Sequence, residues 1–156
     1  MKGNDRIIAT LNALLADELT AIHQYMVHSE MCENWGYEKL HKAIEQRAIG
    51  EMKHAVKLIG RILFFLEGTP DVSKLNTIAI GADVAAQHKH DWNAEQGAVK
   101  AYNEGIHLAV EVADNGTREL FEAILKDEED HIDWIEAQLD QITQMGVQNY
   151  LMEQVG

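Results

Sequence analysis

A glutamate followed 33 residues later by Glu-x-x-His occurs twice in this chain, as Glu18, Glu51 and His54 and again as Glu95, Glu128 and His131. No other feature constrains the fold as strongly, because all four glutamates interrupt apolar stripes of helical period. Glu51 has Ile44 and Leu58 seven residues to either side, and Glu128 has Phe121 and Ile135. Glu18 stands between Leu14 and Ile22, and Glu95 among Trp92, Ala98 and Val99. At about 100° per residue, these carboxylates share the face that a helix turns inward. A lone carboxylate in an apolar interior is costly and normally takes up a proton. Four of them, one per helix, call for positive charge between them. Two other Glu-x-x-His pairs lack this phase. Glu38/His41 points away from the Glu51 face and suits a solvated helix start, and Glu104/His107 lies on the outer side of its helix.

The apolar periodicity predicts four long helices, at about residues 5–34, 38–66, 82–113 and 118–145. NWGY (residues 34–37) and DNGT (114–117) supply short turns, EGTPD (67–71) stops the second helix, and QNYLMEQV suits a short fifth helix. With Pro70 the only proline and few β-branched runs, nothing argues for strands. Two tight hairpins joined by one long crossover describe an all-α four-helix bundle of ferritin-like topology, with residues 1–156 as a single domain. Equal intervals in antiparallel helices put both glutamate–histidine sets at one level. Four carboxylates and two imidazoles are a donor set for two first-row metal ions, iron or manganese. Glu51 and Glu128 would bridge them, while Glu18, His54, Glu95 and His131 would each bind one. Tyr25 and Tyr102, each seven residues after a glutamate, are candidate donors to a ligand carboxylate. Asp91 and Asp127 are candidate acceptors for the histidine N–H groups.

The formal net charge of −13 speaks against nucleic acid or an anionic membrane as partner. A single cysteine, Cys32, excludes a disulfide framework and a Cys-x-x-Cys metal knuckle. No apolar run suits a signal peptide or a membrane span, so the cytoplasm is the expected address.

The opening MKGN, DELTAIHQY around Glu18, EMKHA around Glu51, DEEDHIDWIE around Glu128 and the closing MGVQNYL resemble the bacterioferritins over nearly the whole chain. The resemblance implies a homo-oligomeric shell of 24 subunits built from dimers. It implies a ferroxidase centre formed by the six residues above, with two iron ions per subunit oxidised by O2 or H2O2 and a ferric mineral stored in the cavity. It further implies that Met52 is an axial ligand of a b-type haem shared between two subunits, with Ala48, Ile49, Ala55 and Val56 around it. A ferredoxin or small reductase is the implied electron source for iron release. Gln46 and Gly50 depart from relatives that carry histidine and aspartate there, so the resemblance does not by itself carry over an accessory inner-surface iron site. Gly50 should also cost its helix about 1 kcal/mol relative to alanine. The rival expectation is a di-metal redox enzyme without storage, such as a rubrerythrin-like peroxidase or an oxygenase.

Overall fold

Asn4 starts the first helix: its side chain accepts from the backbone N–H groups of Arg6 and Ile7 at 2.8 and 3.3 Å. That satisfies two donors that a helix start leaves open. In the computed structural model, which describes residues 1–156, α1 covers Asp5–Trp35. Gly36 ends it at φ 82°, a left-handed conformation that costs glycine little. α2 (Glu38–Gly60) returns along α1. Residues 66–83 then cross over without helix. α3 (Val84–Glu111) and α4 (Asn115–Met145) form the second hairpin, and α5 (Val147–Met152) closes the end of the bundle. The four long helices, long crossover and short fifth helix are those expected of the all-α ferritin-like bundle.

Two boundaries differ. The second helix widens into a π-helical turn over Arg61–Phe65 instead of continuing as α-helix to Leu66. Apolar periodicity does not separate one π turn from an α turn. The widened turn accompanies Arg61 reaching Thr117 Oγ1 on α4 and Oδ1 of Asp114, the residue that caps α4, both at 3.0 Å. The DNGT stretch is also more than a turn. Asp114 accepts from the Thr117 N–H at 3.0 Å, so Asn115, Gly116 and Thr117 already belong to the first turn of α4.

The crossover is tied to α1 by side chains that bind its main chain. Asn12 donates to Thr69 O at 3.1 Å and accepts from Asp71 N at 2.8 Å. Thr20, Gln24 and His28, one turn apart on α1, accept from the backbone N–H groups of Asn76, Ala79 and Gly81. Because His28 Nε2 accepts, its ring proton lies on Nδ1, which donates to Asp91 at 2.8 Å.

Two hydrophobic clusters fill the bundle, one toward each end. The larger includes Ile7, Leu11, Leu14, Leu58, Phe121 and Ile124. The smaller includes Tyr25, Cys32, Leu40, Ile44 and Tyr150. Burying each large apolar side chain contributes about 1.5–3 kcal/mol. Each residue of the Glu18, Glu51, His54 set lies 77 positions before its match in the Glu95, Glu128, His131 set, and Tyr25 and Tyr102 obey the same shift. The packing does not. Leu11, Leu14 and Ile124 in the larger cluster correspond to His88, Asp91 and Arg47 at the other end, all buried. There Tyr150 of α5 donates to Gln138 at 2.6 Å and accepts from His88 Nε2 at 3.1 Å.

Candidate metal centre

All four glutamates are at most 2% exposed, and the interior that buries them is the middle of the bundle. α1, α2, α3 and α4 each bring one, because each helix holds its glutamate in phase with its apolar stripe. The structure brings the six predicted donors together as two overlapping groups. One consists of Glu18, Glu51, His54 and Glu128, the other of Glu51, Glu95, Glu128 and His131, and within each the nearest donor atoms lie within 4.8 Å of one another. Glu51 and Glu128 are common to both.

The imidazoles present Nδ1 to the centre. His54 Nδ1 approaches Glu128 Oε1 at 3.0 Å and Glu18 Oε2 at 3.6 Å. His131 Nδ1 approaches Glu51 Oε1 at 3.0 Å and Glu95 Oε1 at 3.3 Å. Despite these distances, Glu18 Oε2, Glu51 Oε1, His54 Nδ1, Glu95 Oε2 and both oxygens of Glu128 are buried without an aligned hydrogen-bond partner. Leaving so many polar atoms unsatisfied costs about 1–3 kcal/mol each, and more for charged groups. They converge on common points between the helices, an arrangement that cations satisfy.

Without cations the cluster holds protons. Burial would lower the histidines, but contact with Glu128 and Glu18 pushes His54 up to about 10. Against the same opposition, Glu128 and Glu95 push His131 up to about 9. Burial, with the Glu18 and Glu128 charges, raises Glu51 well above the carboxylate range. Burial also lifts Glu95 to about 8, helped by Glu128. Glu128 itself goes down: Glu95 and the two imidazoles outweigh its burial. Metal ions entering here would displace these protons, so binding releases acid.

The tyrosines donate across the bundle. Tyr25 gives its hydroxyl to Glu95 Oε1 and Tyr102 to Glu18 Oε1, both at 2.6 Å. Each therefore serves the glutamate of the opposite hairpin, although sequence spacing associates it with the one on its own helix. Asp127 accepts from His54 Nε2 at 2.8 Å. Asp91 makes no such contact with either centre histidine. Its oxygens take hydrogen bonds from His28, from Gln24 at 2.9 Å and from Arg47 at 2.7 Å. Arg47, His28 and Gln24 are the polar residues that the sequence reading missed. Arg47 lies three residues after Ile44 and four before Glu51, and His28 three after Tyr25, so helical phase alone places both on inward faces.

Met52 faces out of the bundle, 51% exposed, with Val56 one turn away at 63%. Of the residues expected around it, Ala48 and Ala55 turn inward and are 4% and 3% exposed. They lie four before and three after Met52, but on the flank that faces α1 and α4 rather than the surface. Gln46 borders a cavity of about 270 Å³ next to His131. At Gly50 a Cβ would meet nothing within 4 Å, so packing does not explain that glycine. No helix is long and apolar enough to cross a membrane.

The family model of the ferritin-like domain matches residues 8–145. Among curated proteins, the bacterioferritin of Rhodobacter capsulatus is 40% identical over 152 residues, 97% of this chain and 94% of that one. The bacterial ferritin of Paramagnetospirillum magnetotacticum is 42% identical, covering 100% of this chain and 96% of its own length. The bacterioferritin of Brucella melitensis is 38% identical over 96% of this chain and 92% of its own. With a matching family model and such identity over nearly its whole length, the chain belongs to the ferritin-like family and, within it, to the bacterioferritins.

Proposed function

We propose that Glu18, Glu51, His54, Glu95, Glu128 and His131 hold two iron ions, and that Fe(II) is oxidised there. The chain is an iron-storage protein with ferroxidase activity that assembles into a homo-oligomeric shell, as its family does. The observation that carries the assignment of residues is the set of buried donor atoms that converge without satisfying one another. Carboxylates favour the ferric product and imidazoles suit the ferrous substrate. Each of two Fe(II) ions gives up one electron. O2 takes both and, with two protons, becomes hydrogen peroxide; peroxide takes both and, with two protons, becomes two waters. Glu51 and Glu128, common to both donor groups, hold the ions as neighbours, so the electrons can leave as a pair. Tyr25 and Tyr102 fix the outer glutamates, and Asp127 fixes the His54 ring.

The shell has 24 subunits in this reading, each a single domain spanning residues 1–156, and the cytoplasm is its address. Met52 binds a b-type haem shared with the same residue of a second subunit. Its support is an exposed thioether on an apolar helix face that a second copy would cover. Such a haem supplies a one-electron path for reducing stored ferric iron, with a ferredoxin or reductase delivering the electrons.

The deciding experiment is stepwise aerobic addition of Fe(II), with absorbance and assembly size followed together. Fast oxidation of about two ions per chain, followed by soluble retention of far more iron in a large particle, is expected. Oxidation that stops at two ions, with the excess precipitating outside a small oligomer, would mean redox catalysis without storage. A Glu51→Gln protein that still oxidised the first two ions at the wild-type rate would remove these residues from the centre.

A further inference from the structure

Arg47 is a buried cation at the polar end of the bundle. It is 6% exposed, and its Nε and Nη1 have no hydrogen-bond partner. Its one ion pair joins Nη2 to Asp91 Oδ2 at 2.7 Å. Asp91 Oδ1 is separately occupied by His28 and Gln24. At the other end of the bundle, the positions 77 residues away from Arg47 and Asp91 hold Ile124 and Leu14, both fully inside the apolar cluster. Hydrocarbon therefore fills the equivalent space there, and replacing a buried ion pair by such residues is often neutral or stabilising. The charge calls for a reason beyond the core.

Its geometry supplies one. The guanidinium carbon lies 4.4 Å from the centroid of the Tyr25 ring and 5.5 Å from that of Trp134. Both are cation–π distances, and a desolvated contact of this kind is a strong one. Tyr25 in turn donates its hydroxyl to Glu95 at 2.6 Å. The matching Tyr102 meets the edge of Phe121, with ring centroids 5.8 Å apart, and has no cation. The half of the centre that Arg47 serves is also the more open one. His131 is 20% exposed, and it borders the cavity of about 270 Å³ that Gln46, Arg47 and Trp134 also line.

We infer that Arg47 is a positioning residue for the Glu95–His131 half of the metal centre: anchored by Asp91, its guanidinium fixes the Tyr25 ring and, through the phenol, the carboxylate of Glu95. The glutamate then keeps one orientation opposite the histidine that borders the cavity, where a freely rotating carboxylate would hold an ion less well. A planar, delocalised cation suits this task better than an ammonium does, because it stacks on one ring while bonding Asp91 in its own plane. The inference rests on the assignment of the six metal ligands above.

Co(II) binding to the assembled protein tests it without reliance on iron oxidation. Site occupancies come from anomalous scattering in crystals, and affinities from the visible absorbance of the ion. In Arg47→Gln, Co(II) affinity at Glu95–His131 is expected to fall about tenfold, while Glu18–His54 stays within about twofold. Arg47→Lys, which keeps the charge on Asp91, should restore part of the loss. In a Tyr25→Phe background neither substitution should weaken that half further by more than about twofold. Equal losses in both halves, no loss in either variant, or an undiminished effect without the Tyr25 hydroxyl would overturn the inference. If Arg47→Gln fails to assemble, the Arg47→Lys cycle decides alone, and an absent or Tyr25-independent effect counts against it. Wild-type protein that bound fewer than two Co(II) ions at these residues would instead overturn the metal-centre assignment itself.

Discussion

The two halves of the proposed centre offer the same donor residues and stand in different surroundings. The half formed by Glu18 and His54 has an enclosed and braced histidine. Its histidine is 4% exposed, Asp127 accepts from Nε2, and Leu14, Phe121 and Ile124 lie nearby in the apolar cluster. The half formed by Glu95 and His131 has a 20% exposed histidine, and no protein group accepts from its Nε2. The residue that corresponds to Asp127 under the 77-residue shift is Gly50. Identical donor sets therefore make two unequal places for an ion. Ligand identity is tightly constrained by the chemistry, whereas the residues behind the ligands are free to make one half firm and the other adaptable.

The comparison breaks most severely at a shared ligand. Glu128→Gln should remove both halves together, lowering the affinity for each of two Co(II) ions by about 100-fold. Glu18→Gln and Glu95→Gln should each lose one ion, and a calorimetric titration separates these cases. Acid offers the next largest contrast, because His88 sits at the polar end where the apolar end has Leu11. Burial, reinforced by the Arg47 charge, holds His88 down at about 4, against 6.5 when unfolded. Between those values the unfolded chain binds a proton that the folded one refuses. Its contribution is therefore intact above pH 6.5 and is lost as pH falls toward 4, with a slope approaching about 1.4 kcal/mol per pH unit. Urea denaturation across pH 4–7 should show that slope in the wild type and a shallower one in His88→Gln.

Smaller effects sharpen the contrast at the histidines. Asp127→Ala should weaken the His54 half about tenfold and leave the His131 half nearly unchanged, read by Co(II) occupancy in crystals. Gly50→Asp, which adds the missing carboxylate at the corresponding position, should narrow the gap from the other side. The smallest change is Gly50→Ala. A methyl there meets nothing within 4 Å, so the helix should gain about 1 kcal/mol in thermal or urea unfolding with metal binding unaltered.

How much of this the sequence discloses depends on where each partner lies. A carboxylate inside an apolar stripe is an anomaly on its own helix, so the four glutamates and both histidines are legible from spacing alone. The tyrosines are legible as inward-facing, but their acceptors are not, because the rotation of facing helices decides which glutamate each hydroxyl meets. Asp91 illustrates the same limit: on α3 it is a candidate acceptor for a centre histidine, while the fold turns it toward Arg47 and His28 on two other helices. A long arginine in a stripe ordinarily carries its charge out to solvent, and only the packed bundle shows Arg47 enclosed. The start of α4 escaped for a different reason, since DNG is a turn signal whose aspartate here serves as a helix cap.

The crossover from residue 66 to residue 83 is held mainly by its peptide groups, and most of the side chains that hold it belong to α1, with Gln87 of α3 donating to Gly81 O and Asn76 giving its own side chain to Asp17. Backbone amides are the same whatever residue bears them, except proline. The burden of specificity is thereby transferred from the strap to the helix beneath it. In a mutational scan, the strap should accept wide changes of residue type at position 79 so long as an N–H remains, whereas Gly81, where a Cβ would collide with the backbone of Ala86 and Gln87, should accept none. Asn12, Thr20, Gln24 and His28 should be intolerant, although they lie in a helix with no irregularity of its own. Drift among relatives would then be rapid in the visible loop and slow in the regular element that fastens it.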